Sequence, residues 1–491
     1  MNGHGNADSP VVPAKSPNNA VAEVAAAEAV EGRGLAEENM DSKTGPGHRA
    51  GKDTTSALDR VRGVARKDKG TQFTALLHHV NVDRLRKAYR AIRPRAAAGV
   101  DGVTWRAYGQ NLEENLQDLH RRVHCGSYRA KPSRRVHIPK ADGRLRPLGI
   151  STLEDKVLQR AVVEVLNAIY EVDLAGFSYG FRPGRGPHDA LDALSVGIDR
   201  KKVNWVLDAD IRSFFTNLDH NWLKKFLEHR IADRRVLRLI DKWVSAGVIE
   251  NGSWSASDVG TPQGASVSPL LANVYLHYVF DDWVRYWRDH HARGDVVIVR
   301  FADDFVVGFE YEADAKRFLN ELGERFAEFG LELHPDKTRL IEFGRFAAQR
   351  RQRRGDGKPE TFDFLGFKHI CAKAKSGRFW VKRITISKRM RAKLHEVKAE
   401  IMRRRHQPIP ALGRWLASVV QGHAAYYAVP GNIEAVKTFR TQVERYWFRA
   451  LNTRSQRTRL NWTRMNRIVR RWIQPLKVMH PFPASRFDAR I

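Results

Sequence analysis

The chain has 491 residues, 42% of them hydrophobic and 29% charged, enough to bury the cores of about three domains at roughly 100–200 residues each. Its 85 Lys and Arg against 55 Asp and Glu leave a formal net charge of +30, and repulsion on that scale needs a polyanion to relieve it, which makes nucleic acid the leading partner. No apolar run approaches the ~18 residues of a spanning helix, no basic-then-apolar leader opens the chain, and Cys125 and Cys371 alone build neither a disulfide framework nor a four-cysteine zinc site. The expected setting is therefore cytoplasmic by default, with no membrane partner.

Residues 1–54 are rich in Ala, Gly, Pro, Ser, Asn and Glu without a hydrophobic period and are predicted to be a disordered tail. Over 55–204, helical patterns alternate with basic turns. Ser151 and Glu154 have capping-box spacing before a helix that carries Leu153, Val157, Ala161, Val165 and Ile169 on one side. In NWVLDADIRSFF (204–215), period two places Trp205, Leu207, Ala209 and Ile211 on one face and Val206, Asp208 and Asp210 on the other. An apolar back with two acids in front makes a poor core strand and a good platform for a cation. Continuing the same alternation, Phe214 and Phe215 are expected to face opposite ways.

From 205 to 382, strand-like runs alternate with helices. RFADDFVVGF (300–309) sets Asp303 and Asp304 between two β-prone runs, and on spacing alone it reads as an ordinary Asp-bearing hairpin turn. Asp210 changes that reading, because a divalent metal needs several oxygen ligands converging from different elements. Beyond 382 the pattern is almost wholly helical, broken by Pro408, Pro410 and Pro430. From residue 384 onward 23 Lys and Arg face 5 Asp and Glu, too few acids for an ordinary solvated surface. Arg464, Arg467, Arg470 and Arg471 recur there at helical spacing as a cationic stripe suited to an RNA backbone.

These residues resemble the motifs of reverse transcriptases, most nearly the group II intron-encoded reverse transcriptases or maturases, from about Val82 onward. FADD stands where that family usually has YADD. AGVDGVTW (98–105), RVHIPKADGRLRPLGI (135–150), FSYGFRPGRGPHDAL (177–191), GTPQGASVSPLLANVYL (260–276), GLELHPDKT (330–338) and FDFLGF (362–367) resemble further blocks of the family, in the family's order. The fold the resemblance implies is a right-hand polymerase, α/β plus all-α. Its α/β fingers would span 55–204, and its palm, with an antiparallel sheet, 205–382. A basic insertion at 344–358, containing FAAQRRQRRGDGK, is read as a loop, and a helical thumb or maturase region would span 383–491.

The activity it implies is RNA-dependent DNA polymerisation, copying RNA into cDNA by two-metal nucleotidyl transfer, with binding of intron RNA to aid splicing and retrohoming. Asp210 and Asp303 would hold two Mg²⁺ ions, with the Ile211 carbonyl as a further oxygen and Asp304 as a weaker ligand. Asp208 is not a ligand in the family pattern and is expected to be a solvated strand acid. Lys140 and Arg146, on a basic fingers hairpin with Gly143 at its turn, would bind the triphosphate. Gln263 would contact sugar or base, Lys337 would protonate or steer pyrophosphate, and Phe215, five positions after Asp210, would exclude a ribose 2′ hydroxyl. The partners implied are RNA template or intron RNA, a DNA primer or target, and dNTPs. No cysteine-pair HNH nuclease follows the helical region, so the chain is not expected to cut target DNA itself. Two other readings stay open: an RNA-binding splicing factor with an idle polymerase site, and a free-standing relative used in defence or DNA repair. The sequence carries no signal for oligomeric state.

Overall fold

The computed structural model describes residues 52–139, 145–250, 253–256, 260–261, 263–454 and 460–488. Lys140, Gly143, Pro262 and most of the predicted tail lie outside the described residues. The helix Lys52–Lys67 takes in the tail's last positions, 52–54.

The strands are β1 (Ser133–Pro139), β2 (Leu145–Ile150), β3 (Trp205–Asp210), β4 (Val248–Glu250), β5 (Ser253–Ser255), β6 (Val296–Phe301), β7 (Asp304–Phe309), β8 (Arg339–Glu342), β9 (Phe362–Phe364), β10 (Phe367–Lys373) and β11 (Phe379–Thr385). They form three sheets, in the orders β2-β1-β4-β5, β6-β7-β3-β8 and β11-β10-β9. The second sheet is antiparallel throughout, and its period-two alternation is buried on both sides. Leu207, Ala209, Phe305, Val307 and Phe309 join a core shared with the helices Leu153–Asp173, Ser268–Leu276 and Glu312–Glu328. On the other face Val206, Val299, Val306 and Ile341 meet Phe362, Phe364, Phe367 and Val381 of the third sheet. Each such side chain contributes about 1.5–3 kcal/mol when fully buried. Asp208 and Asp210 share the face of Val206, at the end of β3 where this second apolar layer runs out.

The long helix Leu153–Asp173 forms as expected, with Leu153, Val157, Ala161, Val165 and Ile169 all buried. Its cap differs from the one predicted. Thr152, not Ser151, is the N-cap: its Oγ1 accepts from the Asp155 amide at 3.2 Å and donates to Asp155 Oδ2 at 2.7 Å. The chain enters the helix one residue later than the Ser-x-x-Glu spacing implies, which pairs Thr152 with Asp155 instead of Ser151 with Glu154. Thr152→Ala should lower stability by about 1–2 kcal/mol, the usual cost of a lost cap, measured by denaturant unfolding.

Beyond β11, the helices Ser387–Arg403, Ile409–Tyr427, Ile433–Asn452 and Trp462–Trp472 enclose their own core, with Leu394, Ile401, Leu416, Phe439, Trp447 and Met465 inside. Pro408 and Pro410 sit at the start of the second of these, where a missing amide costs nothing. The basic insertion at 344–358 is not the loop expected: Ala347–Arg354 is a helix, closed by Gly355 at φ +76°. Ala, Gln and Arg are strong helix formers and glycine takes the left-handed closing position without strain, while Ala347 anchors the turn by being buried. Among the described residues no helix is long and apolar enough to cross a membrane.

Candidate active site

Asp210 ends β3 directly opposite Asp304, the first residue of β7. Asp304 also pairs with Phe301 of β6, so Ala302 and Asp303 form a two-residue turn and all three carboxylates gather at one end of the sheet. Ala302 occupies the left-handed region at φ +57°, a conformation that costs a non-glycine residue about 1–3 kcal/mol. Phe181 (φ +58°) and Ser213 (φ +50°) are strained in the same way on the segments beside it. Backbone strain of this kind persists only where its surroundings enforce it, and it gathers at functional sites.

The electrostatics show how close the acids are. Burial and the like charge of Asp210 raise the pKa of Asp303, while Arg146 and Lys337 oppose the rise. Desolvation, then the charges of Asp303 and Asp210, push Asp304 up to about 8. Asp304 stands open at the solvent edge, so the like charges are the cause that carries most weight there. Asp303 and Asp304, held back from ionising beside a third carboxylate, form a site in need of cations. Lys337 supplies one, its Nζ in contact with Asp210 Oδ2. With Asp210 turned onto that ammonium, no group of three His, Cys, Asp or Glu side chains among the described residues stands ready-made as a metal cage. The donor set is nonetheless all oxygen and mutually close, which fits Mg²⁺. The bridge between Ile211 and Leu333 uses the Asp210 carbonyl and the Arg212 amide, leaving the Ile211 carbonyl outside the pairing.

A second group of predicted residues meets beside the acids. Arg146, exposed on β2, lies near enough to Asp303 to lower its pKa. Three residues along β2, the Gly149 amide donates to the Gln263 carbonyl at 2.7 Å. The Gln263 side chain leaves Oε1 buried with no hydrogen-bond partner among the described residues. Two residues before it, the Thr261 amide donates to the Phe215 carbonyl at 2.7 Å. Backbone bonds therefore tie the strand that carries Arg146 to Gln263, and the segment of Gln263 to Phe215. Phe214 and Phe215 do not continue the strand as expected: Ser213 breaks the extended backbone and Phe214–Asn217 is a single helical turn. The split in burial survives, Phe214 being 2% exposed and Phe215 half-buried, because adjacent residues on a helix also diverge, by about 100°.

Asp208 is not the solvated acid expected. Its side chain is mostly buried, and that burial raises its pKa to about 6, against the pull of Arg339, which reaches across from β8 at 3.6 Å. Arg464, Arg467, Arg470 and Arg471 lie exposed on the helix Trp462–Trp472, opposite the buried Met465 and Val469, and have no carboxylate partner among the described residues. Sequence reasoning passed over Arg300, Asp281 and Asn273, a buried polar group behind the carboxylate turn. The signal was an arginine inside an otherwise apolar strand.

The family described as reverse transcriptase (RNA-dependent DNA polymerase) matches residues 138–369. The chain is 34% identical to Protein YkfC of Escherichia coli over 275 residues, 49% of this chain and 71% of that one. It is 33% identical to the group II intron-encoded protein LtrA of Lactococcus lactis over 228 residues, 46% of this chain and 38% of LtrA. Over 146 residues it is 42% identical to an uncharacterized 91 kDa protein in the cob intron of Schizosaccharomyces pombe, 30% of this chain and 18% of that protein. It thus spans well under half of either intron protein. The matched family segment contains Asp210, Asp303 and Asp304, and the antiparallel sheet that gathers them is the arrangement its motifs imply: the chain belongs to the group II intron-encoded reverse transcriptases and maturases, a family of RNA-directed DNA polymerases.

Proposed function

We propose that this chain copies RNA into cDNA with two Mg²⁺ ions, and that its helical region grips intron RNA to assist splicing and retrohoming. The observation that carries the reading is the meeting of Asp210, Asp303 and Asp304 at one sheet end, with Lys337 on Asp210 and Arg146 within electrostatic reach of Asp303. The sheet β6-β7-β3-β8 is the palm, β2-β1-β4-β5 belongs to the fingers, and the bundle from Ser387 is the thumb. Asp210, Asp303, Asp304 and the Ile211 carbonyl would hold the metals. When bound, those ions stabilise the attacking and leaving oxygens of an in-line displacement. Arg146, with Lys140, neutralises the triphosphate. Gln263 Oε1 accepts a hydrogen bond from the nucleotide. Lys337 leaves Asp210 to the metals and turns its ammonium to the departing pyrophosphate. An idle site would have no reason to keep three carboxylates crowded at a cost to the ionisation of Asp303 and Asp304, which favours polymerase over a splicing factor alone. The setting proposed is cytoplasmic. Primer extension on an RNA template tests the reading: the chain should extend a DNA primer, lose activity in EDTA and regain it with Mg²⁺. No extension with either Mg²⁺ or Mn²⁺ would overturn it.

The four arginines of Trp462–Trp472 are proposed to contact RNA phosphates. Each such contact releases condensed counterion, so affinity falls steeply with salt. Replacing Arg464, Arg467 and Arg471 by Gln should weaken RNA binding and flatten the slope of log K against log salt by about one to three units. An unchanged slope in filter-binding titrations would mean that they face only solvent.

A further inference from the structure

Behind the carboxylate turn lies a polar cluster sealed from solvent. Arg300, next to last in β6, is fully buried, and so is Asp281. Arg300 Nε and Nη2 donate to Asp281 Oδ1 and Oδ2 at 2.7 and 2.5 Å, a forked pair that fixes the guanidinium plane. Its Nη1 then donates to the Ala302 carbonyl and to Asn273 Oδ1, both at 3.1 Å. Asn273 Nδ2 passes the chain on to the Gly180 carbonyl at 2.7 Å. Gly180 packs so tightly on the turn that a Cβ there would stand 2.3 Å from the Ala302 nitrogen. Asp281 closes a π turn, His277–Asp281, inside the helical run from Ser268 to His290. Such turns are rare, and they are frequent at functional sites.

A buried ion pair is a weak source of stability, because desolvation offsets the attraction. What this pair provides is a fixed donor aimed at the carbonyl of the one residue whose left-handed backbone decides where Asp303 points. Backbone bonds reinforce it: Tyr179 donates to the Arg300 carbonyl and Arg300 to the Phe177 carbonyl, both at 2.9 Å. We propose that Arg300, Asp281, Asn273 and Gly180 form a clamp that enforces the strained Ala302 and thereby sets the position of Asp303. They are positioning residues, acting through Asp303, and the inference rests on the reading of Asp303 as a metal-holding group.

The test compares Asp281→Asn, Arg300→Lys and Gly180→Ala with the parent as full chains, reading melting temperature, Mn²⁺ binding by electron paramagnetic resonance, and primer extension. In variants that melt like the parent, kcat should fall about 10–100-fold, as expected for a small misplacement of a reacting group. Mn²⁺ affinity should fall about tenfold. The dNTP KM and primer–template Kd should stay within about twofold, because no ground-state contact is removed. Gly180→Ala removes no hydrogen bond and only pushes the turn, so it keeps the test alive if Asp281→Asn does not fold. Adding Ala302→Gly to Arg300→Lys should recover part of the lost activity, since glycine adopts the left-handed backbone unaided; a general structural defect is not repaired that way. Folded clamp variants with kcat and Mn²⁺ affinity within about threefold of the parent would overturn the clamp. Asp303→Asn, run alongside, separates the two readings. If it loses extension and Mn²⁺ binding while the clamp variants lose neither, only the clamp falls. If it keeps both, the clamp and the site fall together.

Discussion

Asp303→Asn should reduce primer extension on an RNA template by well over about 10²-fold, since disturbing even the outer partners of a metal's ligands costs about 10–100-fold. RNA binding should survive, because the exposed arginines lie on a helix with a core of its own. The reason for so large an effect is electrostatic. Asp303 is one of three acids whose crowding raises the pKa of Asp303 and of Asp304, and a divalent cation relieves that repulsion only if the ligand can carry charge. Asn keeps the shape and removes the charge. The repulsion on Asp304 should then ease, and its raised pKa should fall toward the ordinary carboxylate range, readable by NMR of the labelled carboxyl in metal-free protein. Extension within tenfold of the parent would remove Asp303 from the metal-holding set.

The acids are legible in the sequence because both of their signals are local. Period two sets Asp208 and Asp210 on one face, and a carboxylate pair between two β-prone runs marks a hairpin. Their convergence is a tertiary fact, and it was the family's order of motifs that supplied it. Asp208 shows the limit: its burial depends on Arg339, which β8 brings alongside from 131 positions further on (339 minus 208). Alternation within a single strand carries no trace of such a neighbour. The clamp was hidden for a similar reason. Arg300 stands in the same ten-residue stretch as the acids, but its partner Asp281 sits 19 positions upstream, at the end of a π turn that shifts the helix's phase. A 3.6-residue pattern extended through that turn assigns the wrong face. The helix at Ala347–Arg354 is also local in origin: as an insertion between family blocks it reads as a loop, whereas its Ala, Gln and Arg content and closing Gly355 favour a helix.

Phe215→Val should lower the preference for dNTP over rNTP by about 10–200-fold, the range that a few missing atoms in a substrate pocket command. The position supports a gate. Phe215 is half-buried in the helical turn after Asp210, and its carbonyl is bonded to the Thr261 amide, two residues from Gln263. The ring packs on Phe214, centroids 5.5 Å apart, at the edge of the main core with part of its surface open, and in the proposed site a 2′ hydroxyl would need the room it takes. Phe214 is the internal control. It is 2% exposed and packs against Tyr275, ring centroids 6.3 Å apart, on the side of the main core. Phe214→Val should therefore cost about 1–3 kcal/mol of stability as a core truncation and leave sugar choice alone. The measurement is the ratio of kcat/KM for dNTP and rNTP in both variants, together with their unfolding free energies. Equal ratios in the parent and Phe215→Val would show that the ring only packs. A shifted ratio in Phe214→Val would show instead that the helical turn moves as a unit and that sugar choice depends on its backbone.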